Sequence, residues 1–242
     1  MPRAVVFIST VQNPEEPLTC SNQSIQFVEE NEIINDFDLI ALEKAIQLKE
    51  AGYLDEIVVF SLSPSQKTLL KPLAMGADRA IWGKAENAVL TPEIVVQTAL
   101  DAIADDGQTL WMTGKMGVNF ESHQTAQILS AKLGIPCLMS TFQIEFSNNQ
   151  FHISCEDDKG IAHYHLPLPF VVTAELRLAE PRFPGLPSII RAKRKPVEEI
   201  HVSSGSIHTI DMTLSKQNYR KCRFMTEDEF YIEMHQIIGG KV

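Results

Sequence analysis

Short apolar runs alternate with stretches of helical period through the first 140 residues of this chain. Ala4–Ile8 is a compact apolar run that predicts a strand, and residues 12–34 are polar and compatible with a hairpin. From Asp38 to Ala51 the residues Leu42, Ala45, Ile46 and Lys49 recur at helical spacing, with Asp38 at the start and Gly52 at the end. Ile57–Leu62 predicts a strand, Ser65–Met75 a helix broken late by Pro72, and Ala80–Trp82 a short strand. Thr91-Pro92 is a strong helix start: Thr91 can cap, Pro92 suits the first helical position, and Leu90 can pack on Val95. That helix is expected to run to about Asp105. A strand over Thr109–Thr113, a loop over Gly114–Glu121 and a helix from Ser122 to Leu133, closed by Gly134 and Pro136, complete the series. Repeated strand–helix–strand units imply an α/β fold, with a mostly parallel sheet and helices on both faces.

Beyond residue 140 the pattern changes. Thr141–Phe146 and Phe151–Ser154 flank Ser147-Asn148-Asn149, which is hairpin chemistry, and residues 161–173 add one or two strands. Leu166–Val172 reads as a buried strand. It leads into a segment punctuated by Pro181, Pro184 and Pro187, with Leu186 at its tip and the basic run Arg191–Lys195 behind it. Prolines limit the freedom of such a loop. A stiff loop that presents one large apolar residue suits docking against another protein, while a Leu186 folded onto the core is the alternative. Little regular structure is expected from Glu175 to Arg223. Thr226 and Glu229 then form a capping box for a last helix, on which Phe230, Met234, Ile237 and Ile238 share a face. The pattern divides the chain into an α/β domain over 1–199 and a C-terminal arm over 200–242.

Composition narrows the function classes. The 242 residues are 44% hydrophobic and 21% charged, as in an ordinary globular protein. A formal net charge of −10 argues against nucleic acid as the main partner. The run Arg191–Lys195 is expected to be a solvated loop, with an acidic-partner site as the alternative. No apolar run approaches the roughly 20 residues of a membrane helix, so no membrane insertion is expected. The N-terminal apolar run is too short for a signal peptide and reads as the first strand. Cys20, Cys137, Cys155 and Cys222 form no CxxC pair and fit free thiols in a reducing cytoplasm, or in a mitochondrial matrix if a transit peptide has been removed. His163 and His165 could share a strand face, but two histidines make a poor zinc site, and no metal is expected.

The segment Gly114–Thr125 carries the strongest chemical signal. It leaves a strand and enters a helix, the place where open parallel sheets bind ligands. Gly114 and Gly117 let the backbone approach a ligand, Ser122 and Thr125 add hydroxyls, and helix-start amides attract anions such as phosphate. The spacing is not that of a P-loop, and a plain helix cap at Ser122 is the alternative. No hydrolase, zinc-protease or kinase motif is present, so no catalytic residue is assigned.

Several segments together resemble the beta subunit of electron transfer flavoproteins. They are Asn35-Asp-Phe-Asp38, Ala41-Leu-Glu43 with Leu48-Lys-Glu50, Ser61-Leu-Ser-Pro64, and Leu73-Ala-Met-Gly-Ala-Asp78. Gly114-Lys115 with Gln124-Thr125, Leu168-Pro-Phe-Val-Val-Thr173, Leu176-Arg177, Glu180-Pro-Arg182, Leu186-Pro187 and Ala192-Lys193 follow in family order. The resemblance implies an adenine-nucleotide-binding α/β fold of the HUP type. It also implies a heterodimer whose alpha subunit carries most of the FAD site, passing electrons from flavin-dependent dehydrogenases to an acceptor such as a quinone oxidoreductase. Family beta subunits hold AMP, or a second FAD in bifurcating members. A nucleotide-binding regulatory domain without electron transfer, and a bifurcating subunit with its own FAD, are the rival readings.

The implied nucleotide site comprises Phe7, Asn35, Leu62, Gly114, Gly117, Phe120, Ser122, His123, Gln124 and Thr125. The implied docking site comprises Phe183, Leu186, Pro187, Ile189 and Ile190. This sequence departs from the family pattern at Ser9-Thr10, where a basic pair is usual, and at Asn119-Phe120-Glu121, where an acidic cluster is usual. It departs again at His123, at Phe7 in place of a small residue, and at Asp158-Lys159-Gly160 with Ala162. Phe7 and Phe120 are expected to fill adenosine space, so that AMP is bound weakly or not at all, with still less room for a second FAD.

Overall fold

The computed structural model describes residues 1–13, 15–16, 19–21, 24–26, 31–85, 90–118, 121–203 and 225–239. In chain order the strands are β1 (Arg3–Phe7), β2 (Thr10–Gln12), β3 (Thr19–Ser21), β4 (Ser24–Gln26), β5 (Glu32–Ile34), β6 (Glu56–Ser63) and β7 (Arg79–Lys84). They continue with β8 (Thr109–Gly114), β9 (Cys137–Ser147), β10 (Gln150–Asp157), β11 (Gly160–Leu166), β12 (Phe170–Ala174) and β13 (Val197–Ile200). The helices are α1 (Asp36–Glu50), α2 (Leu70–Met75), α3 (Pro92–Ala102), α4 (Thr125–Leu133), α5 (Leu186–Ala192) and α6 (Glu227–Gly239).

Nine strands form one sheet in the order β11-β10-β9-β12-β8-β1-β6-β7-β13. From β9 to β13 all neighbours pair in parallel, while β9, β10 and β11 form an antiparallel extension. The central strands are continuous apolar runs because both faces are covered. On one face Ala4, Val6, Val59, Met112 and Val172 join Leu42, Ala45 and Ile46 of α1. On the other, Val5, Phe7, Phe60, Trp111 and Val171 join Val96 and Ala99 of α3 and Ala126 and Leu129 of α4. The alternation of strand side chains thus divides one sheet between two cores.

Several element boundaries differ from expectation for local reasons. Helix α1 begins at Asp36, because the Asn35 carbonyl already accepts from the Asp38 amide at 3.0 Å. Pro72 does not break a helix late. A 3-10 turn over Gln66–Leu69 leads into α2, where Pro72 occupies the first turn and its missing N–H costs nothing. Helix α3 stops at Ala102, since Ile103 is extended. The largest correction concerns residues 175–203, the described part of the stretch expected to be irregular: α5 packs against α2, and β13 extends the sheet beside β7. Pro187 lies in the first turn of α5, so Leu186 opens a helix instead of tipping a loop. Lys195 is no solvated cation either: its Nζ donates to the carbonyls of Leu73 and Ala77 at 2.9 and 2.5 Å. The expected domain boundary at 199/200 falls within β13. The capping box of α6 is present, with Thr226 N donating to Glu229 Oε2 at 2.8 Å and Glu229 N to Thr226 Oγ1 at 3.4 Å.

Candidate functional site

A cavity of about 430 Å³ opens where β1, β6, β8 and β12 end. Phe7, Asn35, Leu62, Gly114, Gly117, Ser122, His123, Gln124 and Thr125 all line it. Phe120 lies outside the described residues. The fold therefore gathers nine of the ten expected nucleotide-site residues from four separate stretches of sequence. Phe7 does not plug the cavity. Its ring packs on Phe60 at 5.1 Å and Trp111 at 6.3 Å, so it belongs to the wall and the core beneath.

The start of α1 organises the polar end. Asp38 is buried and ties three pieces of chain together: it accepts from Ser9 N at 2.8 Å, Ser9 Oγ at 2.6 Å and Gly114 N at 2.9 Å. Asn35 Nδ2 donates to the Met116 carbonyl at 2.9 Å, while its buried Oδ1 has no partner among the described residues. Gly114 is required by this close approach. A Cβ there would stand 2.7 Å from Phe37 Cβ and would collide with the Asp38 carboxylate. The sequence marks Asp38 only as a helix-start residue; its burial one turn into α1 depends on the strand ends that meet it.

The other end is shaped by the loop into α4. That helix starts at Thr125, three residues later than expected, and Ser122 is not its cap. Glu121 and His123 adopt left-handed backbone (φ 50° and 51°), each costing about 1 kcal/mol or more for a non-glycine residue. Glu121 N is fixed to the Gly117 carbonyl at 2.8 Å. No described side chain caps α4, and Gln124, Thr125 and Ala126 border the cavity. Its first-turn amides and the positive end of its dipole are therefore left for an anion. Apolar walls from Phe60, Leu62, Leu90 and Val95 face this polar floor. An aromatic base against those walls, a ligand donor on Asn35 Oδ1 and a phosphate at α4 satisfy the unpaired groups, so the residues fit an adenine mononucleotide.

Burial raises the Asp38 carboxyl from 3.8 to about 6, against the lowering effect of the Ser9 and Gly114 donors. A carboxyl raised in the fold binds its proton more tightly there than in the unfolded chain. Its contribution is therefore complete below pH 4 and is lost as pH rises through 6, by roughly 2–3 kcal/mol at 1.4 kcal/mol per unit. Asp38→Asn lacks this dependence. Its melting temperature is expected to gain on the wild type between pH 4 and 6 and to run parallel above pH 7; parallel curves throughout would contradict the assignment.

The residues expected to dock a partner occupy a separate surface. Phe183, Leu186 and Ile190 are 93%, 69% and 53% exposed, and Pro187 is exposed with them. Ile189 is half-buried and packs against the core. Arg182 clamps the root of the segment to α1. Its Nε lies 2.8 Å from Glu43 Oε2, its Nη2 lies 2.8 Å from Glu43 Oε1, and its Nη1 lies 2.5 Å from Glu50 Oε1. Sequence reading found Arg182 only as part of a motif; its partners lie more than 130 positions away.

Other expectations resolve locally. His163 Nδ1 is 2.9 Å from Ser154 Oγ, and the ring of His165 packs on that of His152 at 4.2 Å. Among the described residues no group of three metal-ligating side chains comes together. Burial raises the Cys137 thiol to about 11 and also raises that of Cys155. No described helix is long and apolar enough to cross a membrane.

The cavity at the carboxyl ends of a mostly parallel sheet, beside an uncapped helix start, defines an α/β protein whose cavity lies where open parallel sheets bind ligands. The electron transfer flavoprotein domain, as a family model, matches residues 24–204. The chain belongs to the electron transfer flavoprotein family. It is 39% identical over 183 residues to an electron transfer flavoprotein subunit beta of Bradyrhizobium diazoefficiens, covering 74% of this chain and 72% of that one. It is 36% identical to the mitochondrial subunit beta of Arabidopsis thaliana, with coverages of 70% and 68%. The subunit beta of Homo sapiens is 35% identical, with coverages of 69% and 68%.

Proposed function

We propose that this chain is the beta subunit of a heterodimeric electron transfer flavoprotein. It would pass electrons from flavin-dependent dehydrogenases to an acceptor such as a quinone oxidoreductase. The observation that carries this reading is the family match over residues 24–204, on a chain that also exposes Phe183, Leu186 and Ile190 together. FAD, held chiefly by an alpha subunit, would supply the redox chemistry. The residues of this chain bind and orient: α6 exposes Phe230, Tyr231, Ile232 and Ile237 as a contact surface for that subunit. Apolar area buried there would stabilise the pair by roughly 25 cal/mol per Å² before association costs.

The cavity is assigned an adenine mononucleotide. Phe7 leaves the space open, and Asn35 Oδ1 with the α4 amides awaits polar partners. A tagged chain, co-expressed with its genomic neighbours and purified, is expected to carry a second subunit. On denaturation it should release about one AMP per chain by chromatography. A chain that purifies alone and releases no nucleotide would contradict both assignments.

A further inference from the structure

We propose that Lys115 is an anion-binding residue of the cavity, shared between the ligand phosphate and Glu175, so that filling the cavity loosens the root of the docking segment. The inference rests on the nucleotide reading of the cavity and extends it to a surface outside it.

Lys115 follows β8 directly and borders the cavity between Gly114 and Gly117. It is the one lysine or arginine among the described residues lining the cavity. Its Nζ is turned to Glu175, at 2.7 Å from Oε2, and both side chains are largely covered, 32% and 16% exposed. Glu175 is the first residue after β12 and the root of the docking segment. Its amide donates to the Thr141 carbonyl at 2.9 Å, its carbonyl accepts from Leu178 N at 3.0 Å, and its Oε1 accepts from Leu176 N at 3.2 Å. Burial pushes the Glu175 carboxyl up, but the Lys115 ammonium and the Leu176 amide outweigh it and hold it below the usual range. One ammonium thus joins the wall of the cavity to the chain that leads to Arg182.

A phosphate monoester at the start of α4 brings nearly two negative charges to a cavity already lined by Asp38 and Glu32, with His123 at its rim. Lys115 is the one lysine or arginine that the described lining offers it, and an ammonium is a compact charge on a flexible stem. Turned to the phosphate, it leaves the Glu175 carboxylate without its partner. The ligand and the ordered root then compete for one group, and linkage makes the effect reciprocal.

The test is calorimetry of the protein as purified, together with any subunit it carries, dialysed free of nucleotide and titrated with AMP and with adenosine. Lys115→Met is expected to bind AMP about ten-fold more weakly, as for loss of one charge-assisted hydrogen bond. Lys115→Arg should restore most of the affinity, which separates lost charge from misfolding. Glu175→Gln should bind AMP about three-fold more tightly, because the competitor is gone. Adenosine should be indifferent to all three. Hydrogen exchange of the amides of residues 175–182 should rise when AMP binds the wild type and should not respond to AMP in Lys115→Met. AMP binding without that change in exchange, or weaker AMP binding by Glu175→Gln, would overturn the coupling and leave the nucleotide site standing. Failure of both AMP and adenosine to bind the wild type would overturn the two together.

Discussion

Leu186→Ala is expected to slow electron transfer from a flavin-dependent dehydrogenase about ten-fold or more while leaving the melting temperature nearly unchanged. Leu186 is the first residue of α5, 69% exposed, with Phe183 and Ile190 near it in sequence and also open to solvent. An apolar anchor entering a pocket on a partner contributes roughly 1–3 kcal/mol, and 1.4 kcal/mol is one decade in affinity or rate. Truncating a side chain this exposed leaves no cavity in the fold. A buried leucine would instead cost about 2–5 kcal/mol of stability. Melting temperature and transfer rate, measured on the same variant, separate the two roles. A large loss of melting temperature with an unchanged rate per folded molecule would remove Leu186 from the docking surface.

Arg182→Ala is expected to cost about 3 kcal/mol of stability, because it strands a carboxylate in the interior. Glu43 is only 4% exposed in its side chain, and Arg182 supplies both its charge partner and, through its backbone amide at 3.2 Å, a further donor. Breaking a buried pair by removing one partner costs about 3–5 kcal/mol. The lower end applies, since Arg182 is itself 35% exposed and water can replace it in part. For a chain of this size the melting temperature should fall by about 6–12 °C. Neutralising the stranded charge, in Arg182→Ala with Glu43→Gln, should recover part of the loss, as a thermal double-mutant cycle would show. A loss below about 1 kcal/mol for Arg182→Ala would mean that the clamp does not hold the segment. Glu50 completes the clamp from an exposed position, and its hydrogen bonds from Arg182 hold its carboxyl below the ordinary value.

The alternation of apolar runs and helical stretches made the parallel α/β sheet legible. Strands buried on both faces leave no other pattern, and Thr91-Pro92 marked the start of its helix to the residue. The residues that line the cavity were legible as a motif for Gly114–Thr125, and by family resemblance for Asn35 and Leu62. The missed features depend on residues far apart in the chain. Asp38 looks like any helix-start acid until β1 and β8 bring Ser9 and Gly114 to it. Lys115 and Glu175 are sixty positions apart and meet only because β8 and β12 are neighbours. Helix α5 was hidden because Pro181, Pro184 and Pro187 read together as loop chemistry, although Pro187 in a first helical turn favours a helix. The start of α4 was displaced because Ser122 is a good cap by type, whereas the left-handed residues Glu121 and His123 delay the helix to Thr125.

Whether this chain is one half of an electron carrier is decided by the visible absorbance spectrum of the complex that purifies with it. A second subunit of the electron transfer flavoprotein family is expected, with an oxidised flavin spectrum corresponding to about one FAD per chain. Two flavins would assign the chain to the bifurcating kind, with its own FAD in the cavity assigned above to AMP. A complex or a lone chain without flavin absorbance would contradict the electron-carrier role and would make the protein a nucleotide-binding regulator on the same fold.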